Sequence, residues 1–292
     1  MRKIKIITDS SSDFAQEYYE THEIEVVPFS VSFDRKTYFR ERVDITIGDF
    51  YKRLRDEDVY LLTSAPNPEQ YRSVFQKALE DGMDVICLCL TSKFSASYQN
   101  AVVAKVELTE EYPGCKIAVI DSIQASCGQG LVLNEIVRMR GQGFEFDNII
   151  AEIEECKKTA HVFFAVDSLD YLTKGGRVGK VAALAGSVLN IKPVIVMKDG
   201  ELIPVCKVRG SRGSIQRVFE LTVAHIGGEK DKYDLVAIHA DRREEAESLH
   251  KQLEEEGFSL PLGIENVGVT IGAHSGPTLL GIALIKRFEG AI

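Results

Sequence analysis

Through the first half of the chain, short runs rich in Val and Ile alternate with amphipathic segments of helical period. That is the pattern of a parallel sheet flanked by helices. The expected strands are IKIIT, EIEVV, DVICLCL and KIAVI. NPEQYRSVFQKALEDG places Asn67 as an N-cap, Pro68 at the first helical position and Gly82 at the end, so a helix is expected there. Thr46 in DITIGDFYKRL offers a second cap. VPFSVSFDRKTYFRE alternates apolar and polar positions about a turn near Asp34 and Arg35, which reads as a β-hairpin near 27–42 set upon the sheet.

A long helix is expected from Ser126 to between Arg140 and Gly143, and another from Asp147 to Thr159, before HVFFAV opens a new set of elements. The domain boundary is therefore placed near 158, giving an N-terminal parallel α/β domain over 1–157 and a C-terminal mixed α/β domain over 158–292. In the second half, KPVIVMKDGELIPVCKV carries Asp199-Gly200, a type I′ hairpin signal. Helices are expected at 213–226 and 243–256, with strands DLVAIHA and ENVGVTI and a further helix beginning near Pro277. Neither half shows an internal repeat.

Composition narrows the class. At 292 residues, two hydrophobic cores are the natural expectation, and 45% hydrophobic with 27% charged residues is the balance of a globular protein. A net charge of -9 disfavours nucleic acid or an anionic membrane as partner. Against that acidic background, Lys174, Arg177, Lys180, Lys192, Lys207, Arg209 and Arg212 form a local basic stretch. The N-terminal MRKIKIITDSSSDF reads as a strand rather than a leader, and no apolar stretch approaches the roughly 20 residues that span a bilayer. A cytoplasmic location follows as the default expectation. The six cysteines have no zinc-type spacing, and Cys87 and Cys89 in VICLCL read as small buried side chains, so no metal is expected.

Candidate chemistry lies at the strand ends, where a parallel α/β sheet presents loops and helix N-termini to ligands. The loops TDSSSD (8–13), TSAPN (63–67), TSKFSAS (91–97) and DSIQAS (121–126) all carry Ser or Thr. One such residue is usually a helix cap; four loops together suit hydrogen bonding to a single carboxylate. Nucleotide motifs fail. KGGRVGKV at 174–181 lacks the leading Gly of a P-loop and has Val181 where a hydroxyl is needed, and GQG at 128–130 and 141–143 lacks the third glycine of a dinucleotide fingerprint. Neither HExxH nor GxSxG occurs. Among the histidines, His274 in IGAHSGPT stands between an expected strand and an expected helix, as a turn residue or as part of a site. His22, His225 and His250 read as surface, and His161 and His239 as structural.

The ordered set TDSSSD, TSAPNPEQY, TSKFSASYQNA, LDYLTKGGRVGKVAALAGSVLNIKPVI, KVRGSRGS and IGAHSGPTLLGIA resembles the DegV family over essentially the whole chain. That resemblance implies a two-domain lipid-binding protein with a long-chain fatty acid buried between its domains. It further implies a fatty-acid-presenting subunit that works with a separate ATP-dependent fatty acid kinase, with no cofactor and no catalytic residue of its own. The implied carboxylate contacts fall on Thr63 and Ser95, with His274 and Ser10 in the supporting polar network and Arg177 and Arg209 toward the mouth. Two positions depart from the family pattern. The usual SGTY is Ser95-Ala96-Ser97-Tyr98 here, and GPG is Gly276-Pro277-Thr278. Lys93 adds a charge to the hydroxyl loop, to pair with the ligand or point to solvent. The competing reading is a stand-alone enzyme acting on a small anionic metabolite, with His274 as acid/base and Arg177 or Arg209 holding the anion.

Overall fold

The computed structural model describes residues 2–56, 59, 61–184 and 190–290. In the first half the chain runs β1 (Ile4–Asp9), α1 (Gln16–Thr21), β2 (Glu25–Val27), β3 (Ser30–Ser32), β4 (Tyr38–Arg40), α2 (Ile47–Asp56) and β5 (Leu62–Ser64). It continues through α3 (Pro68–Glu80), β6 (Asp84–Cys89), α4 (Ser97–Glu111), β7 (Ile117–Asp121), α5 (Cys127–Gly141) and α6 (Phe146–Cys156). The second half holds β8 (His161–Ala165), α7 (Asp170–Lys174), β9 (Ile191–Lys198), β10 (Glu201–Arg209), α8 (Ser211–Ile226), β11 (Tyr233–His239), α9 (Arg243–Glu255), β12 (Ile264–Asn266), α10 (Val269–Ser275) and β13 (Leu280–Lys286).

The four strands read from the N-terminal half form one parallel sheet in the order β2-β1-β6-β7. Every residue of β6 is buried because both faces are covered. Ile86 and Leu88 join the main core, while Val85, Cys87 and Cys89 face the cluster formed with α3 and α4. The α3 start is a complete capping box: the Asn67 side chain accepts from the Gln70 N–H at 3.0 Å, and the Gln70 side chain accepts from the Asn67 N–H at 2.9 Å. The Thr46 hydroxyl likewise accepts from the Asp49 N–H.

The C-terminal half builds a six-stranded mixed sheet, β10-β9-β8-β13-β11-β12, antiparallel except for the β11–β12 pair. Period-2 alternation divides its side chains: Phe163, Val194, Leu280, Ile282 and Leu284 pack under α8 and α9, whereas Val162, Phe164, Met197 and Ile238 face the N-terminal half. Helix α5 lies between the two sheets and is buried almost all round, as a helix enclosed on every side must be. The GQG at its start serves packing. A methyl at Gly130 would stand 2.6 Å from the Ser12 carbonyl oxygen on one side, and one at Gly128 would stand 2.7 Å from Val162 on the other.

Several readings of the sequence need correction. ENVGVTI is a strand only over Ile264–Asn266; Val269–Ser275 is helix α10. Its β-branched residues favour a strand locally, but the buried Glu41 carboxylate accepts from the Val269 N–H at 2.5 Å and the Thr270 hydroxyl at 2.7 Å, capping the helix from 228 residues away. Gly276, at φ 76°, ends that helix, and the segment after Pro277 is β13 rather than a helix. A seven-residue apolar run is ambiguous by itself; position between β8 and β11 decides it. The hairpin is present as β3–β4, with the Asp34 carboxylate accepting from the Lys36 and Thr37 N–H groups, but a third strand, β5, pairs with β3. Thr63 therefore sits within a small antiparallel sheet opposite Val31, not in a loop after a strand of the parallel sheet. The Asp199-Gly200 turn has both φ angles positive, 51° and 77°, as expected for type I′.

Candidate functional site

Between the two sheets lies a cavity of about 420 Å³. That is within the span of about 300–1,000 Å³ common for small-molecule sites. Its walls are mostly apolar: Leu90 and Ala125 follow strands of the parallel sheet, and Val162, Phe164, Met197, Leu202 and Ile238 come from one face of the mixed sheet. Ser126 and Thr270, bonded to Asp13 and Glu41, also line it, and further polar groups gather where β5, the 91–96 loop, α7 and α10 meet. They include Thr63, Ser95, Asn100, Arg177 and His274.

The contacts among these groups are specific. Thr63 Oγ1 stands 2.8 Å from His274 Nε2. Ser95 Oγ accepts from the Ser97 N–H at 3.1 Å, which leaves its hydroxyl hydrogen free to donate elsewhere. Arg177 donates from Nε to the Phe94 carbonyl at 3.0 Å and from Nη1 to the Gly175 carbonyl at 2.6 Å, tying the hydroxyl loop to the end of α7. Asn100 donates to the Pro66 carbonyl at 2.8 Å and anchors the segment after Thr63. Burial, and secondarily the Arg177 charge, lowers the His274 pKa from 6.5 to about 4. The ring is neutral near pH 7, and so low a value suits a hydrogen-bonding role better than proton transfer at neutral pH.

The structure brings together Thr63, Ser95, His274 and Arg177, which are separated along the sequence but share one end of the cavity. Ser10 and Arg209 stand apart from its walls. Ser10 is fully buried, donating to Glu41 at 2.7 Å and accepting from the Phe29 N–H at 3.0 Å. Arg209 is exposed at the last position of β10. The rest of the TDSSSD loop is also structural. Asp9 accepts from the Ser11 hydroxyl, the Leu90 N–H, the Ser97 hydroxyl and Gln129, joining the ends of β1 and β6 to α5. Ser97, at the departure from SGTY, keeps a hydroxyl in that network. Lys93 turns away from the polar end, donating to the Asp199 carbonyl at 2.9 Å and pairing with Glu201 at 3.3 Å. His161 and His239 each bond local backbone, to the Thr159 carbonyl and from the Arg242 N–H.

Sequence reasoning missed the roles of Phe94, Asn100 and Gly175. A carbonyl, an amide after a Ser-rich loop and a helix-end glycine carry no distinctive local signal; their roles arise from partners that packing brings to them, Arg177 for Phe94 and Gly175 and the Pro66 carbonyl for Asn100.

A mostly apolar cavity bounded by sheets, with hydroxyls, a neutral imidazole and one guanidinium grouped in its wall, is the kind of site in which an α/β protein can hold an amphipathic ligand. The model of the family described as "Uncharacterised protein, DegV family" matches residues 3–287, and the chain belongs to that family. A DegV domain-containing protein of Caldanaerobacter subterraneus is 33% identical over 97% of this chain and 98% of its own. Among solved structures, a stearic acid-binding protein from Eubacterium ventriosum is 34% identical with a TM-score of 0.92, covering 98% of this chain and 99% of its own. The DegV fatty acid binding protein of Bacillus subtilis is 27% identical with a TM-score of 0.85, covering 98% of this chain and 100% of its own. Among the described residues, no helix is long and apolar enough to cross a membrane.

Proposed function

We propose that this protein binds a long-chain fatty acid in the cavity between its sheets, with the carboxylate at Thr63 and Ser95 and the tail along Val162, Phe164, Met197 and Ile238. The observation that carries the reading is the make-up of the cavity: Thr63, Ser95 and Arg177 are grouped in a wall that is otherwise mostly apolar. Each buried CH₂ contributes about 0.8 kcal/mol, so the tail provides most of the affinity and the polar end fixes orientation. The fatty acids named for the Eubacterium and Bacillus relatives support the same ligand class. The two halves are read as domains meeting near residue 158, with the site between them.

In this reading the protein is a cytoplasmic carrier rather than an enzyme. A separate ATP-dependent kinase phosphorylates the presented carboxylate to an acyl phosphate, and Arg177 with the exposed Arg209 forms a basic rim toward that partner. Solvent extraction of purified protein followed by mass spectrometry is expected to release a fatty acid in near-equimolar amount. Recovery of no lipid from repeated preparations, together with no binding of added palmitate, overturns the reading.

A further inference from the structure

Gly175, the residue that closes α7, has φ -76° and ψ -8°, ordinary right-handed helical values that any residue adopts. Its lack of a side chain answers a different need. A Cβ at this position would stand 2.1 Å from His274 Nδ1 and 3.0 Å from His274 Cε1. The hydrogen that takes the place of Cβ therefore points at the imidazole nitrogen. His274 Nδ1 is itself buried and has no hydrogen-bond partner among the described residues, whereas Nε2 meets Thr63 Oγ1 at 2.8 Å.

These contacts distinguish the two neutral forms of the ring. With the proton on Nδ1, an N–H would press against the Gly175 Cα–H and remain a buried, unpaired donor. With the proton on Nε2, the Nδ1 lone pair faces a weak Cα–H donor, and Nε2–H donates to Thr63 Oγ1. The Thr63 hydroxyl hydrogen must then be donated elsewhere, and the cavity is what lies beside it. Ser95 is in the same condition, because its oxygen already accepts from the Ser97 N–H.

We infer that Gly175 is a positioning residue: it holds His274 in the Nε2–H form and so makes the Thr63 hydroxyl an obligatory donor to the ligand. The consequence is specificity for the head group. Thr63 and Ser95 both donate, and a carboxylate offers acceptors to both without bringing a donor of its own. A primary amide or an alcohol offers these two donors only a neutral oxygen, which accepts more weakly than the charged oxygens of a carboxylate. This selectivity rests on the fatty acid reading; the form of the imidazole does not.

Two-bond ¹H–¹⁵N correlation spectra of ¹⁵N-histidine-labelled protein, assigned with His274→Ala, read that form directly near pH 7. Nε2 is expected to be protonated and Nδ1 to carry the lone pair; a protonated Nδ1 overturns the inference whether or not lipid binds. Gly175→Ala is expected to alter those His274 resonances and to weaken palmitate binding by about tenfold or more, while adding little further loss in a His274→Ala background. Unaltered resonances, or an equal loss with and without His274, refutes the coupling. Absence of palmitate binding by the unmodified protein refutes the proposed function instead, and the spectra still decide the role of Gly175.

Discussion

Thr63 Oγ1 and His274 Nε2 meet at 2.8 Å although 211 residues separate them, one on a strand of a small N-terminal sheet and the other on a helix capped by Glu41. The contact links the two halves of the chain at the polar end of the cavity. Its consequences can be measured.

Thr63→Val removes the hydroxyl while keeping the side-chain shape, and a hydrogen bond to a charged group contributes about 1.5–3 kcal/mol. Palmitate binding is expected to weaken at least tenfold, and Thr63→Val with Ser95→Ala to weaken it further. Titration calorimetry checks this, and unchanged affinity in the double variant refutes the assignment of the carboxylate to these two residues.

The lowered pKa of His274 predicts a pH window. The unfolded chain takes up a proton near 6.5 and the folded one only near 4, so between these values the unfolded state binds more protons. Stability therefore falls as pH drops from 6.5 toward 4, by at most about 1.4 kcal/mol per pH unit for this residue, and is unaffected by it above that range. His274→Gln is expected to flatten the dependence of urea-unfolding free energy over that window. An unchanged slope counts against the burial-driven shift.

Ser10→Ala separates architecture from recognition. Because Ser10 bonds Glu41 and the Phe29 N–H in a fully buried setting, its loss is expected to cost about 1–3 kcal/mol of stability. Palmitate affinity of the folded variant should change less than about threefold, below about 1 kcal/mol. A stable variant with strongly reduced affinity would instead place Ser10 in the head-group network.

Lys93→Ala tests whether the charge in the hydroxyl loop reaches the ligand. Its ammonium pairs with Glu201 at the protein surface, where such pairs contribute about 0–1 kcal/mol. Palmitate affinity should be almost unchanged by calorimetry, and a tenfold loss would show that the lysine serves the head group.

Val162→Phe adds bulk to the apolar wall. Each CH₂ displaced from the cavity forfeits about 0.8 kcal/mol, so palmitate should lose more affinity than laurate. Equal losses for both acids would place the tail elsewhere.

Local sequence is enough to specify the parallel sheet, the capped helix at Asn67, the β9–β10 hairpin and the hydroxyl-bearing segments around Thr63 and Ser95. Each depends on neighbouring residues: on hydrophobic period, on cap chemistry or on the positive φ of Asp199 and Gly200. Tertiary packing was needed to make Val269–Ser275 a helix, because the carboxylate that caps it belongs to Glu41. Packing also separates the hydroxyls that face the cavity from those that do not. Thr63 and Ser95 line the wall, while Ser10, Ser11 and Ser97 are spent on Glu41 and Asp9. A hydroxyl has the same local signature in both settings, and its partner is fixed only when distant segments pack together. His274 shows this most clearly: its surroundings come from β5, α7 and Arg177, and their burial of the ring, not its place in IGAHSGPT, makes it neutral and orients it toward Thr63.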